Sequence, residues 1–215
     1  MTKIKACLFD LDGVIVDTAV YHFQAWRRLA NELGFDFTEH QNEQLKGISR
    51  MESLELILNW GNVSLTEAEK VEWATRKNDW YLDLVKLMTP NEVLPGVAKF
   101  LTDLREAGIK IALGSASKNS KLILERINML DYFDAIIDGN NITKGKPDPQ
   151  VFLMGAEATN ALPSECVVFE DAVAGVQAAK AGGMKAIGVG SADVLTEADF
   201  VIATFEEMTL ERLNF

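Results

Sequence analysis

The sequence predicts an α/β protein: a doubly wound parallel sheet covered by helices, with an all-helical segment inserted after the first strand. Three observations carry this. Beyond residue 92, short apolar runs alternate with segments of helical period, as in parallel sheets covered on both faces. Residues 17–88 show helical periods and no convincing strand. The predicted strands end in polar or acidic residues, and ligands of open parallel sheets bind at that edge. The core therefore combines residues 1–16 with 92–215, and the helical module spans 17–91.

The elements follow in order. IKACLF at 4–9 is a short apolar run ending in acid, hence a buried strand. Ala19, Phe23, Trp26, Ala30 and Leu33 fall at helical spacing, and Gly34 stops that helix. Ser53 to Leu58 reads as helix with Gly61 beyond it. Thr66 and Glu69 form a capping box, after which Val71, Ala74, Asn78, Tyr81 and Val85 make one face, with Asn78 its polar member. Pro90 and Pro95-Gly96 mark the return to the sheet. Val97 to Leu104 is a helix closed by Gly108, and 109–113 (IKIAL) is a strand. Leu122 to Leu130 is helix, Ala135 to Ile137 strand, Val151 to Ala158 helix, and Cys166 to Phe169 strand. Val173 to Ala181 is a helix stopped by Gly182-Gly183, Met184 to Val189 a strand, and Phe200 to Ile202 an edge strand.

Composition limits the partners. With 21 basic and 32 acidic residues the net charge is −11, which disfavours nucleic acid and anionic lipid, since both require a basic footprint. Only a locally basic pocket would hold an anion. Cys7 and Cys166 are too few for a disulfide framework and sit in apolar runs, so both read as small core residues. No apolar stretch reaches the roughly 20 residues of a membrane helix. Acidic residues by position 10 argue against a signal peptide. A soluble protein of a reducing cytoplasm is expected.

The chemistry lies at four strand ends: Asp10-Leu11-Asp12-Gly13, Gly114-Ser115, the loop Lys144-Gly145-Lys146-Pro147, and Glu170-Asp171. In a parallel sheet these converge on one edge. Carboxylates brought together there repel by several kcal/mol at low effective dielectric, and a divalent cation removes that cost. Oxygen ligands without His or Cys suit Mg²⁺. A hydroxyl and a lysine beside the cation complete a phosphoryl site.

CLFDLDGVIVDT, IALGSAS, KGKPDP and VVFEDAVAGVQAAKAGG resemble, in this order, the four motifs of the haloacid dehalogenase-like superfamily of aspartyl-phosphate enzymes. The resemblance covers essentially the whole chain and implies a Rossmann-like core with a helical cap. It makes Asp10 the nucleophile and Asp12 the general acid and base. It also implies an Mg²⁺ site formed by the carboxylate of Asp10, the carbonyl of Asp12, Glu170 and Asp171, with Ser115 and Lys146 holding the transferred phosphoryl group. Within the superfamily, DTAVYHFQAW, NEQLKGISRMESL, RKNDWY, GSASKN and FEDAVAG resemble its sugar-phosphate mutases. That implies conversion of β-D-glucose 1-phosphate to glucose 6-phosphate through a phosphorylated Asp10 and glucose 1,6-bisphosphate, by a monomer acting on small sugar phosphates.

The cap residues acquire roles through the same resemblance. Arg50 would grip the phosphate that is not transferred, its fork binding bidentately. Gly47 and Ile48 would offer backbone groups to the sugar, and Ser117, Lys118 and Asn119 would contact the distal phosphate and hydroxyls. Trp26 is either helix core or pocket lining. His22 is placed near Asp12 with Lys77 and Asn78 in support, and Thr18 at the hinge. Two positions depart from the pattern: Ala172 stands where a serine is expected, which would loosen support of the metal site, and Gly114 replaces an alanine, which would soften the loop of Ser115. The alternatives are a sugar-phosphate phosphatase of the same superfamily, with the same core residues but open to water, and a non-catalytic module binding Mg²⁺ and phosphate.

Overall fold

A computed structural model describes residues 3–215. Residues 1 and 2, where the expected core segment begins, lie outside the described residues. Six strands form one parallel sheet: β1 (Ala6–Phe9), β2 (Lys110–Gly114), β3 (Ala135–Ile137), β4 (Cys166–Glu170), β5 (Lys185–Val189) and β6 (Phe200–Ile202), in the order β3-β2-β1-β4-β5-β6. Central β1 is buried on both faces, which explains its unbroken apolar run.

Strand alternation divides that burial between two layers. Cys7 and Phe9 point to one side with Leu113, Phe169 and Ile187, beneath helices α5 (Val97–Glu106) and α6 (Ser120–Arg126). Ala6 and Leu8 point to the other with Ala112 and Val168, beneath α7 (Gln150–Ala158) and α8 (Val173–Ala181). Phe9 stacks on Phe169 at 4.7 Å, and Phe100 meets Phe169 edge-on at 5.5 Å. Each such buried ring contributes about 1.5–3 kcal/mol. Both cysteines are free and wholly buried in these layers.

The first strand gives way to α1 (Ala19–Glu32), α2 (Glu39–Glu43), α3 (Arg50–Trp60) and α4 (Glu67–Val85). These helices bury a separate cluster that includes Trp26, Leu29, Leu54, Ile57 and Leu58. The chain leaves and returns side by side: Val16 bridges Val93 in antiparallel fashion, and the Leu94 N–H donates to the Ile15 carbonyl at 2.9 Å.

Several sequence expectations shift. α2 was not expected; Thr38 and Gln41 cap it reciprocally. α3 starts at Arg50 rather than Ser53, because Ser49 and Glu52 form a second capping box. The Thr66–Glu69 box does start α4, but Val71 is 58% exposed: burial in this helix begins at Ala74, and it takes in Lys77. The helix expected to reach Leu130 ends at Arg126, where Asn128 takes a positive φ of 57° and a 3-10 turn follows at Leu130–Tyr132.

Candidate active site

All four polar strand ends meet at the C-terminal edge of the sheet. Lys146 Nζ lies 2.6 Å from Asp10 Oδ1 and 2.5 Å from Glu170 Oε1, and all three side chains are buried. Burial alone would depress the lysine ionisation, but Asp10 and Glu170 outweigh it and the ammonium is held charged. Lys146 also faces the Phe152 ring at 4.9 Å. Burial pushes the Glu170 carboxyl up to about 6 despite Lys146. The Asp171 carboxyl is held well above the usual carboxylate range by burial and by Glu170 and Asp10, with Lys46 opposing.

Asp10, Glu170 and Asp171 each offer an oxygen within 4.8 Å of the others. This oxygen-only set, carrying a like-charge cost of its own, fits Mg²⁺. Gly13 is the residue that permits the arrangement: its φ is +79°, and a Cβ there would lie 2.1 Å from Asp171 Oδ2.

Asp12 accepts a hydrogen bond from the Thr18 hydroxyl at the start of α1. Burial, then the Asp10 charge, pushes its carboxyl up to about 7, with Thr18 and Lys146 opposing. Ser115 is buried at the end of β2 and its Oγ accepts from the Ser117 N–H at 3.1 Å.

Above this edge lies a cavity of about 420 Å³ walled by both the sheet edge and the helical insert. Gly47, Ile48 and Arg50 face it from the α2–α3 side, and Ser117, Lys118 and Asn119 from the loop after β2. Trp26 is both core and lining: it is 2% exposed, packs in the helical cluster and borders the cavity. Lys77 Nζ sits 4.2 Å from the Trp26 ring and 2.8 Å from His22 Nδ1. Burial, then Lys77 and Arg50, lowers the His22 ionisation well below its ordinary value, so its ring is neutral.

Asn78 stands elsewhere than expected. Its Oδ1 accepts from Arg50 Nη2 at 2.7 Å and from Asn119 Nδ2 at 3.0 Å, so it joins the two expected phosphate contacts instead of supporting His22. Successive helix residues project about 100° apart, so Lys77 and Asn78 serve different neighbours. The two departures from the motif pattern find local reasons. The Ala172 backbone N–H donates to Glu170 Oε2 at 2.9 Å, a contact any side chain allows. A Cβ at Gly114 would lie 2.8 Å from the Phe152 ring, so the glycine makes room for the ring beneath Lys146.

Two residues escaped the sequence reading. Lys46 reaches from the insert to Asp171 at 3.5 Å, having read as a lysine within a matching segment and nothing more. Tyr81 borders the cavity, though helical spacing had placed it in an apolar face.

An aspartate directly after the first strand, a buried lysine and an acidic cluster meet at one edge of a six-stranded parallel sheet, and the chain belongs to the haloacid dehalogenase-like hydrolases, whose family model matches residues 4–183. It is 46% identical over 213 residues to β-phosphoglucomutase of Bacillus subtilis, covering 98% of this chain and 94% of that protein. The crystal structure of β-phosphoglucomutase from Clostridium difficile superposes with a TM-score of 0.95 at 44% identity, covering 98% of this chain and 96% of that one. A phosphorylated carbohydrates phosphatase of Thermotoga maritima is 33% identical over 86% of this chain and 84% of its own length.

Proposed function

We propose that the protein is a mutase interconverting β-D-glucose 1-phosphate and glucose 6-phosphate through a phosphorylated Asp10 and glucose 1,6-bisphosphate. Residues 1–16 and 92–215 form the catalytic core and 17–91 the cap. The observation that carries the mutase reading is the second polar station. Arg50 and Asn119, tied by Asn78, lie on the cavity that also exposes Asp10. A bisphosphate needs such a partner for its idle phosphate in either orientation, and hydrolysis of a monophosphate does not.

The residues then divide the work. Asp10 attacks phosphorus and carries the phosphoryl group. Ser115 and Lys146 hold the transferring oxygens, a reaction that depends mainly on positioning and charge balance. Asp12 takes the proton of the attacking sugar hydroxyl and returns one to the leaving oxygen. Its elevated ionisation, about 7, suits both directions. Asp10, Glu170, Asp171 and the Asp12 carbonyl would hold Mg²⁺, which would supply charge neutralisation for the transfer. The neutral His22, fixed by Lys77, and the Thr18 hydroxyl line the path from Asp12 into the insert. Trp26, Gly47, Ile48, Ser117 and Lys118 complete the sugar-phosphate pocket.

The net charge of −11 supports a protein that works on small metabolites rather than on nucleic acid or anionic membranes, here as a cytoplasmic monomer. Among the described residues no helix is long and apolar enough to cross a membrane. The similarity to a carbohydrate phosphatase favours one rival, a sugar-phosphate phosphatase with the same core. A coupled assay with β-glucose 1-phosphate, Mg²⁺ and a trace of bisphosphate separates them. Glucose 6-phosphate as product upholds the mutase; stoichiometric free phosphate and no glucose 6-phosphate upholds the phosphatase.

A further inference from the structure

Lys146 is held from three sides, and the third is a ring. Its Nζ lies 2.6 Å from Asp10 Oδ1 and 2.5 Å from Glu170 Oε1, and the Phe152 ring faces it at 4.9 Å. Lysine and ring are both buried, Phe152 completely. Asp10 and Glu170 keep the ammonium charged against that burial. A charged ammonium is attracted by the electron-rich face of a ring, most strongly where water is excluded. Phe152 belongs to the first turn of α7, and its backbone N–H donates to the Pro149 carbonyl at 3.1 Å, so the helix start fixes where the ring stands. The end of β2 leaves room for it. A Cβ at Gly114 would lie 2.8 Å from two ring carbons, and Gly114 directly precedes Ser115. One ring thus abuts both the lysine and the residue before the serine assigned to the same phosphoryl group.

The three contacts fare differently during transfer. When an Asp10 oxygen bonds to phosphorus and the bond to the leaving oxygen breaks, the carboxylate becomes an acyl phosphate and its negative charge passes to the phosphoryl oxygens. Lys146 then loses the charge of one of its two anionic partners. Glu170 has further commitments: its second oxygen accepts from the Ala172 N–H at 2.9 Å, and it belongs to the acidic set that fits the metal. The Phe152 ring carries no charge to lose, and its pull on the ammonium is the same before and after the step. A lysine head on a flexible four-carbon stem is placed by its partners, so a partner that does not change holds it where the phosphoryl oxygens arrive.

We infer that Phe152 is a positioning residue for phosphoryl transfer: its ring face holds the Lys146 ammonium in place while the charge of Asp10 passes to the phosphoryl group. The inference rests on the assignment of Lys146 to the transferring oxygens, and it applies to a mutase and to a phosphatase alike.

The test replaces Phe152, in the full-length chain, by phenylalanines carrying one, two and three ring fluorines. Each fluorine withdraws electron density from the ring face and barely alters its size, so the packing stays while the attraction to a cation falls stepwise. Mg²⁺-dependent consumption of acetyl phosphate reads the sheet edge without a sugar. Its kcat/KM is expected to fall with each fluorine, reaching a loss of about 5–30-fold with three, the range that a desolvated cation–π contact spans. Urea unfolding gives a second readout. Stability is expected to fall stepwise with Lys146 present and to show no such trend in the Lys146→Met background, where the ring remains and the cation is gone. A ring that merely fills the core gives the same stability trend in both backgrounds, and that result overturns the inference. A kcat/KM indifferent to the fluorine count also overturns it; this series keeps the native lysine and decides whether or not Lys146→Met folds. Wild-type consumption of acetyl phosphate by Lys146→Met removes Lys146 itself from the phosphoryl site, and the positioning role of Phe152 falls with it.

Discussion

Gly13 occupies the tightest point of the acidic edge. With φ at +79° and an added Cβ falling 2.1 Å from Asp171 Oδ2, it lets the backbone between Asp12 and Val14 pass beside a metal-ligand candidate. Gly13→Ala is expected to displace Asp171 and weaken Mg²⁺ binding by roughly 10–100-fold, the range seen when support of metal ligands is lost; calorimetric titration with Mg²⁺ measures it, and an unchanged affinity would remove Asp171 from the ligand set. Asp12→Asn separates the neighbouring roles. Its backbone carbonyl remains, so metal affinity is expected to persist, while phosphoryl transfer to the sugar drops at least about 10²-fold. Asp10→Asn should abolish turnover with the fold intact, as followed by circular dichroism beside the assay. Much at this scale was legible in the sequence because each charged group closes a strand, and strand ends of a parallel sheet share an edge. Asn78 and Tyr81 were not: helical spacing assigns a face, but it does not say that Asn78 accepts from Arg50 and Asn119 or that Tyr81 borders the cavity.

The two edge strands are fastened by the same device. Asp134, just before β3, accepts from the Ile111 N–H at 2.9 Å and from Lys110 at 2.7 Å. Asp199, just before β6, accepts from the Ala186 N–H at 2.8 Å and from Lys180 at 2.8 Å. Burial tends to raise both carboxyls, but the lysine and backbone bonds win, and both lie below the ordinary aspartate value. A depressed folded-state pKa adds stability above the unfolded value near 4, and that stability is lost as pH falls through the folded value. Asp134→Ala and Asp199→Ala are each expected to cost about 1 kcal/mol at pH 7. They should add in the double variant, because they sit at opposite edges of the sheet. In urea unfolding the deficit should narrow below about pH 4; a deficit as large at pH 3 as at pH 7 would show that the charges contribute nothing. Elements of this kind were read well where apolar runs were bounded by acid or glycine, as in β3 after Asp134, β6 after Asp199 and α8 before Gly182. They were read poorly where a reciprocal cap started a helix with little apolar signal. Five residues of polar sequence in α2 carry no periodicity, and the Ser49–Glu52 box lies one turn ahead of the first buried residue of α3, Ser53.

At the scale of the molecule, sheet and insert hold different halves of the site. The edge of the sheet carries the groups that touch the transferring phosphoryl, and the insert carries Arg50 at the first turn of α3, set by the Ser49 cap. The order of motifs along the chain shows that an insert exists, but not how it sits; that is fixed by contacts such as Lys46 with Asp171 and Asn78 with Asn119, which join residues 125 and 41 positions apart. This division can be tested by asking one variant to perform two reactions. Transfer between sugar hydroxyls needs the idle phosphate held, so loss of a charge-assisted bidentate contact in Arg50→Ala should depress mutase turnover by about 10–150-fold, equivalent to about 1.5–3 kcal/mol. Hydrolysis of acetyl phosphate, which has no second phosphate, draws on the groups of the sheet edge and not on Arg50, and should proceed at close to the wild-type rate. The neighbouring Asn78 would lose one donor but keep Asn119, so the wall of the cavity is expected to remain in place. The two rates are measured side by side on the same preparation. Equal losses in both reactions would mean that Arg50 acts through the fold or the sheet edge, and the assignment of the distal phosphate to the insert would fall.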